Sequence, residues 1–120
     1  MVDDDAAVRN VAAVILSELG FRVIEAGGAM EAMKVLRGPF NIDLLLTDLA
    51  MPDVSGTELA HLAKQLKPDL KVIYTSGHVR IADGDPALRY GPLIEKPWRL
   101  RQLRELVRSM FASPDEGNPG

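Results

Sequence analysis

Six polar residues stand directly behind short strand-like runs: Asp3, Asp4 and Asp5 after Met1-Val2, Asp48 after 42–47, Ser76 after 70–75, and Lys96 after 93–95. Carboxylates gathered at one point repel one another and resist ionisation unless a cation joins them. An ammonium supplies a compact point charge, and a hydroxyl supplies a donor. Such a set suits a cation-assisted reaction on an anionic group, with one carboxylate as nucleophile. Asp48 is the prime candidate, because an unbroken apolar stretch delivers it and a Pro/Gly-punctuated loop, Met51-Pro52-Asp53-Val54-Ser55-Gly56, follows it.

The elements that must hold these residues can be read from periodicity. The Ile42–Asp48 stretch, apolar without alternation, predicts a strand buried on both faces of a parallel sheet. Met1-Val2 predicts the end of a first strand, short of the usual ~5 residues, so the central place in the sheet is underfilled unless more strand lies upstream. Residues 21–26, 70–75 and 93–95 predict three further strands. Asp5 serves as N-cap for a helix with Val8, Val11, Ala12, Ile15, Leu16 and Leu19 inward, closed by Gly20. Ala29, Ala32, Met33 and Leu36 line a second helix. Ser55 with Glu58 forms a capping-box pattern for a third, lined by Leu59, Leu62, Ala63 and Leu66. Residues 79–90 predict a short irregular helix, and Leu100, Leu103, Leu106, Val107 and Met110 line the last. Arg99, Arg101, Arg104 and Arg108 mark its solvated face. Five strands alternating with five helices give an α/β fold with a doubly wound parallel sheet covered on both faces. In such sheets ligands collect at the carboxyl ends of the strands.

One hundred and twenty residues, 47% hydrophobic and 26% charged, suit one globular domain. The net charge of −3 gives no bulk attraction to nucleic acid or to a membrane surface. With no cysteine there is no disulfide framework and no thiolate metal site, in keeping with a reducing, cytoplasmic setting. No apolar run approaches the ~20 residues of a membrane span, and no signal peptide is legible. Residues 113–120 read as a frayed tail behind a 1–112 domain.

The motifs Val2-Asp3-Asp4-Asp5, Asp48-Leu49-Ala50-Met51-Pro52 with Gly56, Thr75-Ser76-Gly77 and Glu95-Lys96-Pro97, in this order, resemble the receiver domain of two-component response regulators. The resemblance implies a flavodoxin-like five-stranded sheet of order 2-1-3-4-5. It implies Asp48 as acceptor of a phosphoryl group from a histidine kinase or histidine phosphotransfer protein, with Lys96 and Ser76 contacting that group. Mg²⁺ is the cation of choice, since it takes hard oxygen ligands and keeps exchangeable waters. Its ligands would be Asp4 and Asp48, with Asp3 helping directly or through water, and the carbonyl of Ala50. Pro97 would hold a cis peptide bond that aims Lys96 inward. Receivers often dimerise or signal through the end of the domain where the last helix lies. A stand-alone regulator and a receiver of a hybrid histidine kinase both fit.

Three positions depart from the family pattern. Leu93 replaces the frequent aromatic of a rotamer switch, while Ala50 and His78 stand where residues influence hydrolysis. Ala50 cannot orient a water, which predicts slow self-dephosphorylation unless His78 substitutes. Two other readings compete. A haloacid-dehalogenase-like Mg²⁺-dependent phosphatase also uses Asp, Mg²⁺ and Lys, but wants a second Asp where Ala50 stands. A receiver-like interaction module that never takes phosphate would not need Asp4, Asp48, Ser76 and Lys96 together. In the receiver reading the protein is not an enzyme beyond chemistry on its own Asp48. His61 reads as a surface residue and Trp98 as a packing anchor.

Overall fold

The computed structural model describes residues 1–51, 53–77, 86–96 and 98–111. The strands are β1 (Leu44–Asp48), β2 (Lys71–Ser76) and β3 (Leu93–Glu95), paired in parallel in that order. The helices are α1 (Ala6–Glu18), α2 (Ala29–Arg37), α3 (Gly56–Leu66) and α4 (Leu100–Phe111), with a 3₁₀ turn over Pro86–Leu88.

The first two expected strands do not form regular strands. Val2 makes isolated parallel bridges to Ala26 on one side and to Thr47 on the other. Across the sheet the order is therefore the segment ending at Ala26, then Val2, β1, β2 and β3. This is the flavodoxin-like order 2-1-3-4-5, with the places of the first two expected strands reduced to isolated bridges. Residues 78–85, which hold His78 and most of the expected irregular helix, lie outside the described residues, as do Pro97 with its expected cis bond and the tail at 113–120.

Alternation along the strands sorts the core into two layers. Val2, Leu45, Val72 and Tyr74 pack with α2 and α3 through Ala29, Met33, Leu36, Leu59 and Ala63. Met1, Leu46, Ile73 and Ile94 pack on the other face with α1 and α4 through Ala12, Ile15, Leu16, Leu103 and Val107. Both faces of β1 are thus covered, which is why its sequence shows no polar alternation.

Local signals set the helix ends. The Asp5 carboxylate accepts hydrogen bonds from the amides of Ala7 and Val8, and Gly20, with φ 95°, follows the α1 C-cap. Ser55 Oγ accepts from the Glu58 amide and starts α3. Val11, Leu66 and Leu100, expected inward, are exposed. Each lies at the edge of its stripe, and in each helix the sheet reaches only the central line of apolar residues.

Gly56 is set by space. Its amide donates to the Leu49 carbonyl, and a Cβ here would collide with the backbone carbonyl of Asp48. Gly56→Ala is expected to destabilise the protein by about 2 kcal/mol, read as a lower urea midpoint, because α3 must back away from the end of β1. A midpoint equal to the wild type would show that this close approach is not required.

Candidate functional site

The carboxyl ends of the strands bring the polar residues together. Asp3 is fully buried behind the Val2 bridge, Asp48 ends β1 at 6% exposure, and Asp4 is exposed beside them. One carboxylate oxygen from each of Asp3, Asp4 and Asp48 lies within 4.8 Å of the others. Three hard oxygen donors at that spacing, two of them backed by buried main chain, fit a small divalent cation such as Mg²⁺.

Lys96 follows β3 and crosses the gap between the acids. Its Nζ lies 2.7 Å from Asp3 Oδ2 and 3.1 Å from Asp48 Oδ2. The Asp3 Oδ1 accepts from the Asp5 amide at 2.9 Å, and Asp48 Oδ1 accepts from the Ala50 amide at 3.4 Å. Burial raises the Asp48 pKa, the Asp3 charge adds to that, and Lys96 only partly offsets them. For Lys96 burial works downward, but the hydrogen bonds and charges of Asp3 and Asp48 outweigh it and hold its pKa above the ordinary lysine value. The site is therefore charge-poised: one ammonium serves two inward carboxylates, with a third carboxylate at the rim.

Ser76 ends β2 in a buried position and pairs in register with Glu95, while the Lys96 amide donates to the Ser76 carbonyl at 2.8 Å. Main-chain pairing thus ties hydroxyl and ammonium to one edge. Ala50 is exposed one residue beyond Leu49, at the mouth of the site. Trp98 packs against the α1–α4 layer, and with Lys96, Gly77 and Val8 it borders a depression beside the site. His61, expected at the surface, is half-buried. Its Nδ1 is 2.7 Å from the Tyr90 hydroxyl, a pairing 29 residues apart that helical spacing could not reveal.

Asp53 was not among the expected site residues. Its carboxylate accepts from the Ala29 and Met30 amides at 3.2 and 2.9 Å, capping α2 from the loop behind Asp48. Those backbone donors, with that of Val54, lower its pKa. No local pattern announces a cap supplied from 24 residues away.

A doubly wound parallel sheet carrying acids and one lysine at its carboxyl edge is a receiver-type architecture. The response regulator receiver domain model matches residues 1–108, and the chain belongs to that family. It is 33% identical over 115 residues to the response regulator receiver protein CpdR of Brucella abortus (strain 2308), spanning 92% of this chain and 93% of that protein. It is 30% identical over 118 residues to the sensor kinase CckA of the same strain, spanning 96% of this chain and 12% of the kinase. The response regulator TrrA of Thermotoga maritima, solved in complex with Mg²⁺-BeF, superposes with a TM-score of 0.79 at 28% identity, covering 92% of this chain and 95% of that one. Relatives therefore include both a free-standing receiver and a receiver within a kinase. Family membership decides between the receiver and the haloacid-dehalogenase-like readings in favour of the receiver. Among the described residues no helix is long and apolar enough to cross a membrane.

Proposed function

We propose that the protein accepts a phosphoryl group on Asp48 from the phosphohistidine of a histidine kinase or histidine phosphotransfer protein. The observation that carries the reading is Lys96 Nζ, 3.1 Å from Asp48 and 2.7 Å from Asp3, inside a cluster of three carboxylates. A carboxylate oxygen of Asp48 attacks phosphorus, a P–O bond forms, and the P–N bond to the donor imidazole breaks. Asp3, Asp4, Asp48 and the Ala50 carbonyl would hold Mg²⁺, which when bound would supply positive charge to the transferring oxygens. The remaining work falls to side chains. Lys96 exchanges its contact with Asp48 for a phosphoryl oxygen, and Ser76 donates its hydroxyl to another. Those two contacts exist only with phosphate present, so they can shift the population between two conformations. The protein then acts on its own side chain and is not an enzyme in the turnover sense. The exposed arginines Arg101 and Arg108 of α4, with Arg99 just ahead of it, leave a face for a second copy or a downstream partner.

Incubation with Mg²⁺ and acetyl phosphate is expected to add one phosphoryl mass and to change Trp98 fluorescence. A protein that gains no mass from acetyl phosphate or from a phosphorylated histidine donor is not a phosphoacceptor. Once formed, the phosphoryl group is expected to be long-lived, because Ala50 cannot orient an attacking water. Ala50→Asn should shorten its half-life several-fold, followed by intact mass after donor removal, and an unchanged half-life would rule out this position as the control.

A further inference from the structure

Arg9, near the start of α1, reaches to the acid cluster but takes its partners from the main chain and from outside the cluster. Its Nη1 donates to the carbonyl of Asp3 at 2.7 Å, and its Nε lies 3.6 Å from Glu25 Oε1. The side chain is only 21% exposed. A hydrogen bond from a charged donor is short and stronger than a neutral one, and the planar guanidinium fork serves both acceptors at once.

The bond matters for what it holds. Asp3 is already fixed on its other sides: its amide donates to the Ala26 carbonyl, Oδ1 accepts from the Asp5 amide, and Oδ2 meets Lys96. Asp4 is not. Its residue is exposed, and among the described residues no donor holds its carboxylate, although one of its oxygens lies within 4.8 Å of oxygens of Asp3 and Asp48. Asp4 therefore takes its place in the cluster from the main chain that carries it. The peptide joining Asp3 to Asp4 is a rigid plane, so a clamp on the Asp3 carbonyl fixes the direction in which Asp4 leaves. Arg9 is that clamp, and the ion pair with Glu25 steadies it from behind.

We propose that Arg9 is a positioning residue for the divalent cation: by holding the Asp3 carbonyl it sets the Asp4 carboxylate among the donors and raises the affinity for Mg²⁺. The inference rests on the metal-assisted reading above and adds to it a residue outside the acids. It also carries a distinctive sign. A positive charge beside a cation site opposes the cation by Coulomb's law, so a residue acting through charge alone would weaken binding, and its removal would tighten it. A clamp acts in the opposite direction.

The test titrates the folded, metal-free full chain with magnesium chloride by calorimetry. Arg9→Met, which removes every donor and keeps an apolar stem, is expected to bind Mg²⁺ about tenfold more weakly than wild type. In an Asp4→Ala background the same substitution is expected to change the affinity by less than about twofold, because the side chain through which Arg9 acts is gone. Arg9→Gln repeats the comparison with a polar side chain, so that a folding defect peculiar to methionine does not decide the result. Equal or tighter binding by both Arg9 variants overturns the proposal. So does an equal loss with and without Asp4, which would report a general loosening of the turn, and so does a wild type that binds no Mg²⁺. The titration reads the metal alone: a wild type that binds Mg²⁺ but gains no mass from acetyl phosphate fails the phosphoacceptor reading and leaves this comparison standing.

Discussion

Asp48→Asn is expected to abolish phosphoryl uptake completely and, in the absence of divalent metal, to make the protein more stable. The first effect follows because the amide is no nucleophile. The second follows from charge. Burial raises the Asp48 pKa, so its ionised form is net unfavourable in the folded state despite Lys96. A carboxylate whose folded pKa exceeds its unfolded value favours folding below the unfolded pKa and loses that contribution as pH rises through the folded one. The advantage of Asp48→Asn should therefore appear at neutral pH and vanish in acid below the ordinary aspartate pKa. Mg²⁺ should reverse the ranking, because a cation bound by the three carboxylates stabilises the wild type according to its concentration over Kd, and the variant has lost one ligand. Urea midpoints at neutral and acid pH, with and without Mg²⁺, give four comparisons. A variant less stable than wild type at neutral pH without metal would mean that Asp48 is held for structure and not for chemistry.

The sequence carries some parts of this arrangement plainly and hides others for identifiable reasons. The positions of Asp48 and Lys96 were legible because Asp48 ends a buried apolar strand and Lys96 directly follows a short one, which places both at one edge of the sheet. The layering was legible too: the unbroken apolar run of β1 required cover on both faces, and the two core layers supply it. Asp5 was legible as the α1 N-cap, but which of Asp3 and Asp4 turns inward was not. Asp3 is the fully buried acid that Lys96 grips, and Asp4 stands exposed at the rim of the same cluster. Three identical side chains in a row carry no pattern, and only the Val2 bridge decides which one turns inward. Val11, Leu66 and Leu100 were misplaced because a helical stripe read from spacing has no sharp edge, whereas the sheet that covers it does. The contacts of Asp53 with α2 and of His61 with Tyr90 join residues 23 to 29 positions apart, beyond the reach of any local rule. The absence of regular pairing over 21–26 could not be foreseen from its composition, because strand propensity is realised only against a neighbour, and Met1-Val2 offers a single bridge.

Lys96→Met is expected to cost about 3 kcal/mol of stability without metal, the largest stability loss at the site. The side chain is only 18% exposed, and it is the cation between a fully buried Asp3 and a nearly buried Asp48. Its removal leaves two inward carboxylates with one backbone donor each, Asp5 N and Ala50 N, which cannot replace the ammonium. The raised pKa of Lys96 has a definite sign: its contribution is fully present at neutral pH and is lost only as pH climbs through the folded value, far into alkali. Magnesium and the ammonium satisfy the same acids, so the variant should bind Mg²⁺ more tightly than wild type and recover much of its lost stability when the metal is added. Phosphoryl uptake measured on that metal-loaded, refolded variant should still be slower by about 100-fold, since nothing then neutralises the phosphoryl oxygen that Lys96 would contact. The two readouts separate two roles. Recovered stability with slow uptake assigns Lys96 to the transferring group, whereas recovered stability with normal uptake would leave it a purely structural counter-ion to Asp3.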